Sequence, residues 1–453
     1  MMTGDNMLYD NSVSRVNDGT KTITLLSLVI PSLLENISIQ LCGTFNTLIL
    51  SGFSEIAITA VGMSEQIINV IINLITMIIK GAVIVASIYL GSSKREKAGE
   101  ITSTAFCLVS FFSILICSLS SLLSPIIIGF TKLEGIEFVL TVSFFRLRSL
   151  FLIVTLVMSF FNNMLICNGY AKQTMITTFT SNLINIGICY AFLYGRIWTI
   201  SEGTTPVAFA GVIAQTIGLL LSITFFIRKK CPFIFSFKIK YMLKILKVGI
   251  PSGMAWFAYS FSQMMTTGFL TIFGPMVVNA KVYISNIVIY ASRISMALGQ
   301  GTLILNGYHK GANNIEGIKK LSKQNLGIAV FFNMMLAIII FILRRPLLSL
   351  FTSNKEIFAI STTILLLEIL VDIFRAFSHI LENSLNAVGD VKATFAISIF
   401  SGGCLNVLGA YVFGVVLRLG LNGIWIAFIL DEGFKSILYY IRWKKEKWIN
   451  IKI

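Results

Sequence analysis

EILVDIFRAFSHILEN, Glu368 to Asn383, places Glu368, Asp372, Arg375, His379 and Glu382 inside an apolar run from about Ile357 to Leu385. That run exceeds the roughly 20 helical residues needed to cross a bilayer. Successive members of the five lie four, three, four and three residues apart, so on a helix they share one face, and Asn386 extends the stripe by a turn. An ionised Asp or Arg at mid-membrane costs about 2.5–3.5 kcal/mol on insertion scales. The stripe must therefore face water or partner charges, which a lone anchor helix does not supply.

The whole chain fits that setting. Of its 453 residues 56% are hydrophobic and 12% charged, the balance of a polytopic membrane protein. Twelve spans are predicted, near 25–50, 63–90, 101–123, 140–166, 174–194, 206–227, 248–273, 277–305, 324–343, 357–385, 392–416 and 421–442. Lipid offers backbone groups no partners, so the spans are helices and the fold class is all-α. No cleavable leader pattern precedes the first span. Seven cysteines, an odd number with no CxxC spacing, and two histidines, His309 and His379, point to neither a disulfide framework nor a metal centre.

The net charge of +16 is distributed in a way that argues against nucleic acid. With the N-terminus inside, most of the 36 Lys and Arg fall in cytoplasmic segments and few in outer loops, the positive-inside pattern. Both termini are thus expected in the cytoplasm of a multi-pass protein of the plasma (inner) membrane. The densest basic stretch, Arg228 to Lys247, reads as a linker lying on anionic lipid headgroups. RWKKEKW, Arg442 to Trp448, reads as a second interfacial anchor.

This linker separates two similar halves. A shift of 220 positions sets Ile30-Pro31 on Ile250-Pro251, Ala60 on Ala280, Gly91 and Glu96 on Gly311 and Glu316, and Asn163, Gly169, Lys172 and Thr174 on Asn383, Gly389, Lys392 and Thr394. One offset serving several spans indicates an internal repeat. Six spans per repeat is an even number, so both repeats enter the membrane in the same sense. The expected organisation is a polar tail (1–21), a six-helix bundle (22–227), a basic cytoplasmic linker (228–247), a second six-helix bundle (248–443) and a basic cytoplasmic tail (444–453), with a central cleft between two pseudo-symmetric bundles.

The Ile-Pro openings of spans 1 and 7, the block RAFSHILENSLNAVGDVKATF (Arg375 to Phe395) and the ending GLNGIWIAFILDEGFKSILYYIRWKKEKW (Gly420 to Trp448) resemble the MATE family of multidrug and toxin extrusion transporters, in its bacterial form. The resemblance covers nearly the whole chain from Thr22. It implies a V-shaped pair of bundles exporting organic, often cationic, compounds in exchange for sodium ions or protons, with no cofactor beyond that ion. Family members with an acidic site in span 1 carry an Asp-Thr pair where this chain has Asn46-Thr47, and others carry a glutamate in span 7 where Tyr259 stands. Asp372 followed by Arg375 agrees with an acidic-then-arginine pattern of span 10.

The candidate coupling residues are accordingly Asp372, Arg375, Glu368 and His379 of span 10, and Glu35 of span 1, where Glu35, Ser38, Cys42 and Asn46 share a face. At the offset of 220 the span 10 stripe becomes Arg148, Leu152, Thr155, Ser159 and Asn162, so ion chemistry is weighted toward the second repeat. Asn36, Gln40 and Asn46 with Trp256, Tyr259 and Gln263 suit a cavity for flat cations, through amide oxygens and ring faces. The expected partners are a small-molecule substrate and the bilayer, for a monomer. No phosphate-binding G-x-x-x-x-G-K-[ST] occurs, which argues against ATP-driven export by this chain. No nucleophile motif accompanies His379, so no catalytic residue is assigned and the chain does not read as an enzyme. The alternative reading, resting on Arg148, Arg293 and Arg375, is a flippase for an anionic lipid-linked oligosaccharide or similar precursor.

Overall fold

The computed structural model describes residues 13–17, 22–51, 55–131, 133–194 and 204–451. A short hairpin, β1 (Arg15–Asn17) paired antiparallel with β2 (Thr22–Thr24), leads into α1 (Leu25–Ser51). The first repeat continues with α2 (Glu55–Gly91), α3 (Arg95–Leu122), α4 (Ser124–Gly129), α5 (Gly135–Leu150), α6 (Leu152–Cys167), α7 (Ala171–Tyr194) and α8 (Thr204–Arg228). The second comprises α9 (Ile239–Leu270), α10 (Pro275–Gly311), α11 (Ile315–Ile342), α12 (Arg344–Ser349), α13 (Lys355–Ala387), α14 (Val391–Phe400) and α15 (Gly420–Lys444). Among the described residues nine helical segments are long and apolar enough to cross a membrane, one of them α14 continued to Val416, and the α5–α6 pair, bent by 43°, makes a tenth. The other two long helices carry the charge: α9 begins with three lysines, and α15 holds Asp431, Glu432 and Lys435.

The offset of 220 reappears in the backbone. It relates both ends of α2 to those of α10, of α3 to α11 and of α4 to α12, and the α5–α6 span to α13. Local chemistry sets these ends. Ser93 and Asn313 take left-handed φ values of 57° and 55° at equivalent turns, and Gly169 and Gly389 take 73° and 89° at another pair. Pro125 and Pro346, by contrast, stand in the first turns of α4 and α12, where no intrahelical N–H bond is lost. Asn314 and Asn354 cap α11 and α13 by accepting bonds from Gly317 N–H and Glu356 N–H, each at 2.8 Å. The register slips only at the last pair, where α15 begins 216 residues after α8.

The repeats differ in three places. The span equivalent to the continuous α13 breaks at Phe151, where Val154 N–H reaches the Phe151 carbonyl three residues back, a tighter closure than an α-turn. The continuation of α14 is wound as a π-helix over Ser401–Leu408 and Ala410–Val416. Finally, the first and last described segments are both held by the last turn of α10. His309 Nε2 donates to the Val13 carbonyl at 2.9 Å, and Lys310 Nζ donates to the Trp448 and Ile449 carbonyls at 3.2 and 2.8 Å. Trp448 is buried and stacked on Trp443, with ring centroids 4.7 Å apart. The expected interfacial anchor is therefore corrected at Trp448, because the neighbouring ring and the α10 lysine give this tryptophan an internal site. The basic linker is also shorter than expected, since α9 already starts at Ile239.

Contacts divide the chain into two compact units, one of residues 26–86 and 94–249, the other of residues 1–25, 87–93 and 250–453. In the first, Leu50, Ala57, Cys189, Leu193 and Ala210 form a buried apolar cluster joining α1, α2, α7 and α8. In the second, Ile284, Ile287, Ile364, Val371, Ile424 and Trp425 bring α10, α13 and α15 together. The end of α2 lies against α10 there, at a contact that tolerates no side chain. A Cβ on Gly91 would stand 2.1 Å from the Tyr308 carbonyl oxygen, and one on Gly311 2.0 Å from that of Ile88. Tyr308 and Ile88 are themselves equivalent under the repeat, so the crossing is pseudo-symmetric.

Close-packed backbones cannot absorb an added methyl group. Gly91→Ala is expected to lose most of the monodisperse protein on fluorescence-detected size exclusion, whereas Gly43→Ala, with nothing within 4 Å of the added carbon, leaves it unchanged.

Candidate functional site

The stripe on α13 is buried and paired. Glu368 is 2% exposed and Asp372 fully buried. One guanidinium nitrogen, Arg375 Nη1, donates to Glu368 Oε1 at 2.9 Å, to Asp372 Oδ1 at 2.7 Å and to Ser292 Oγ of α10 at 3.1 Å. The spacing of three and seven residues lets one arginine reach both carboxylates along a single helix face. Glu368 Oε2 accepts a further bond from Trp425 Nε1 of α15 at 2.6 Å. Among the described residues, Asp372 Oδ2 and Arg375 Nε are buried without a hydrogen-bond partner.

A second ionic group lies on α15. Lys435 Nζ donates to Asp431 Oδ2 at 2.9 Å and to Glu432 Oε1 at 3.3 Å, the two pairs following helical spacings of four and three. Asp431 also accepts from Ser401 Oγ and, at 2.8 Å, from Asn406 Nδ2, both on the π-wound segment. Glu432 Oε2 accepts from Ser378 Oγ of α13 at 2.6 Å. Together the two groups set four carboxylates around two cations, an arrangement that favours added positive charge.

Both groups border one cavity of about 210 Å³, which Arg375 lines from one helix and Asp431, Glu432 and Lys435 from another. Trp256 and Tyr259 of α9 form its aromatic side, stacked with centroids 5.5 Å apart, and Lys435 Nζ lies 5.8 Å from the Tyr259 ring centroid. His379, Glu382 and Arg293 complete its charged lining. Carboxylates, ring faces and a concave volume together suit a cation with an apolar body.

Of the sequence-predicted residues, Arg375, His379, Trp256 and Tyr259 line this cavity, whereas Glu368 and Asp372 do not line it and join it only through their bonds to Arg375. Gln263 instead contributes its backbone carbonyl, which accepts from Lys281 Nζ at 3.2 Å. Glu35, Asn36, Gln40 and Asn46 belong to the other unit. Glu35 accepts from Thr174 Oγ1 at 3.0 Å and Thr178 Oγ1 at 2.8 Å of α7. The same face of α1 continues through Ser38, which accepts from Asn182, and Asn46, which donates to Asn185 at 2.7 Å. Asn36 turns back to its own helix at the Ser32 carbonyl. Arg148, the positional counterpart of Glu368, pairs with Glu65 at 3.2 Å. Sequence reasoning missed Asp431, Glu432 and Lys435, although charges three and four residues apart in an apolar span are the same signal that marked α13.

The MatE family model matches the chain twice, over residues 31–191 and 251–412. A Bacillus subtilis protein described as "Uncharacterized transporter YisQ" is 31% identical over 449 residues, covering 95% of this chain and 96% of its own length. A Thermotoga maritima protein described as "Probable multidrug resistance protein NorM" is 24% identical over 94% of this chain and 92% of its own. Among solved structures, a MOP superfamily transporter from Pyrococcus furiosus shares the fold with a TM-score of 0.86 at 17% identity, over 94% of this chain and 96% of that one. An outward-facing multidrug resistance transporter of the MATE family matches at 0.85 and 18%, over 93% and 94%.

Removing one member of a buried ion pair typically costs about 3–5 kcal/mol, because its partners stay buried without compensation. Arg375→Ala is therefore expected to lower the melting temperature of the detergent-solubilised protein by several degrees. Arg375→Lys, which keeps the charge, recovers part of that loss.

Proposed function

This chain belongs to the MATE family of multidrug efflux transporters, and from that premise we propose that it exports organic, amphipathic cations in exchange for protons or sodium ions. It is a transporter and not an enzyme. The observation that carries the reading is the cavity of the second repeat, which Asp431, Glu432 and Lys435 line beside a stacked Trp256–Tyr259 pair, and which Arg375 joins to the buried Glu368 and Asp372. Exchange requires a site that either the coupling ion or the substrate can neutralise, each favouring a different state of the protein. Asp372 is the first choice for that role, since one oxygen is bound to Arg375 and the other is without a partner. Glu35, held by two threonine hydroxyls, is the second.

Conformational change between inward-open and outward-open states is expected to follow the alternating access of repeat transporters. Both termini then lie in the cytoplasm of a cell whose plasma membrane holds the protein as a monomer. The linker supports this orientation. Ser236 is tied to α3 through Ser103, while Phe235 and Phe237 on either side are exposed, Phe235 by 86%. Exposed rings followed by Lys238 and Lys240 suit an anionic headgroup layer. Of the three arginines behind the flippase alternative, Arg148 is paired with Glu65 and Arg375 with Glu368 and Asp372, while Arg293 lines the cavity.

The test is ethidium transport into inverted vesicles with sodium and proton gradients imposed separately. One gradient should drive accumulation, and Asp372→Asn, at equal membrane abundance, should reduce the rate at least about tenfold, as for loss of a charge-assisted contact of about 1.4 kcal/mol or more. Ethidium movement driven by neither gradient, together with flipping of a lipid-linked sugar, would overturn the proposal in favour of the flippase.

A further inference from the structure

Lys435 occupies the place that an incoming cation needs. Its ammonium sits between Asp431 Oδ2 and Glu432 Oε1, at 2.9 and 3.3 Å, and faces the Tyr259 ring at 5.8 Å. Those are the contacts a protonated amine makes with carboxylates and an aromatic face. The same pocket wall carries an unmet acceptor. Asn406 is 2% exposed, its amide nitrogen is committed to Asp431, and its Oδ1 is buried with no hydrogen-bond partner while the residue lines the cavity. A buried acceptor left open is costly unless something fills it in another state.

We propose that Lys435 is a tethered occupant of a cation subsite formed by Asp431, Glu432 and Asn406, and that a transported cation enters this subsite only as the lysine side chain withdraws. The inference rests on the cation-export reading and names the residue that sets affinity and release within it. Lys435 can leave without collapse of its neighbours. Asp431 keeps its bonds from Ser401 and Asn406, and Glu432 keeps its bond from Ser378. The flexible four-carbon stem of lysine allows the withdrawal, and the Tyr259 ring supplies a nearby surface for the displaced ammonium. Return of the lysine would then expel the cargo, so that one side chain lowers affinity and speeds release.

The test uses the purified full-length protein in detergent, with ethidium binding followed by fluorescence, and ethidium transport in proteoliposomes. Lys435→Met should bind ethidium at least about tenfold more tightly, since a like charge within contact distance is removed. Its KM and kcat should fall together, because release becomes slow. Lys435→Arg, which keeps a tethered cation, should stay near wild type, and Asp431→Asn in the Lys435→Met background should weaken binding again. A Lys435→Met protein that elutes as a single species and binds ethidium no more tightly than wild type would overturn the proposal. Tighter binding by Lys435→Met, in a protein whose wild type moves ethidium under no gradient, would support the subsite and count against the export reading instead.

Discussion

Charge buried among membrane helices must find opposite charge, and in the second repeat that requirement shapes everything around it. Glu368, Asp372 and Arg375 bind one another along one helix face, Asp431, Glu432 and Lys435 do the same along another, and side chains of α10, α13, α15 and the π-wound segment supply the remaining bonds. Each group is locally satisfied in large part, yet the pair of groups holds more negative than positive charge. An assembly of that kind is stable enough to fold and still has capacity for one more cation, which is what an exchanger needs.

The two repeats keep one backbone plan and depart in chemistry. Equivalent helix ends lie 220 residues apart through most of the chain, and even the left-handed turns coincide. Asp372 and Arg375 nevertheless correspond to Leu152 and Thr155, while Glu368 corresponds to Arg148. With the register of 216 in the final pair, Asp431, Glu432 and Lys435 correspond to Gln215, Thr216 and Leu219. The first repeat retains a milder polar line, in which Glu35, Ser38 and Asn46 of α1 meet Thr174, Thr178, Asn182 and Asn185 of α7. A duplicated scaffold has thus kept its helix crossings and concentrated its ionic chemistry in one copy.

How much of this was legible in the sequence follows from the range of each interaction. The stripe on α13 was visible because its members sit on one helix with regular spacing against an apolar background, and the repeat was visible because glycine, proline and charged positions recur at one offset. Partners on other helices were not. Nothing local marks Trp425 as the donor to Glu368, Ser292 as the acceptor for Arg375 or Asn406 as the second bond to Asp431. Asp431 and Lys435 were passed over inside a segment valued for its family resemblance. Nothing local in SGGCLNVLGAYVFGVV marks its π-helical winding, although Gly402 there packs against Ser262. Trp448 was misplaced because an aromatic next to lysines has the composition of an interface anchor, and only the fold provides Trp443 and Lys310 to bury it.

The central claim is that cargo and coupling ion compete for the carboxylates of this one cavity. It is tested most directly by measuring ethidium affinity of the purified protein against increasing sodium and, separately, increasing acidity. Competition predicts that affinity falls as one of the two ions rises and that this dependence disappears in Asp372→Asn. An ion dependence of the same size in Asp372→Asn, or affinity indifferent to both ions in the wild type, would contradict it.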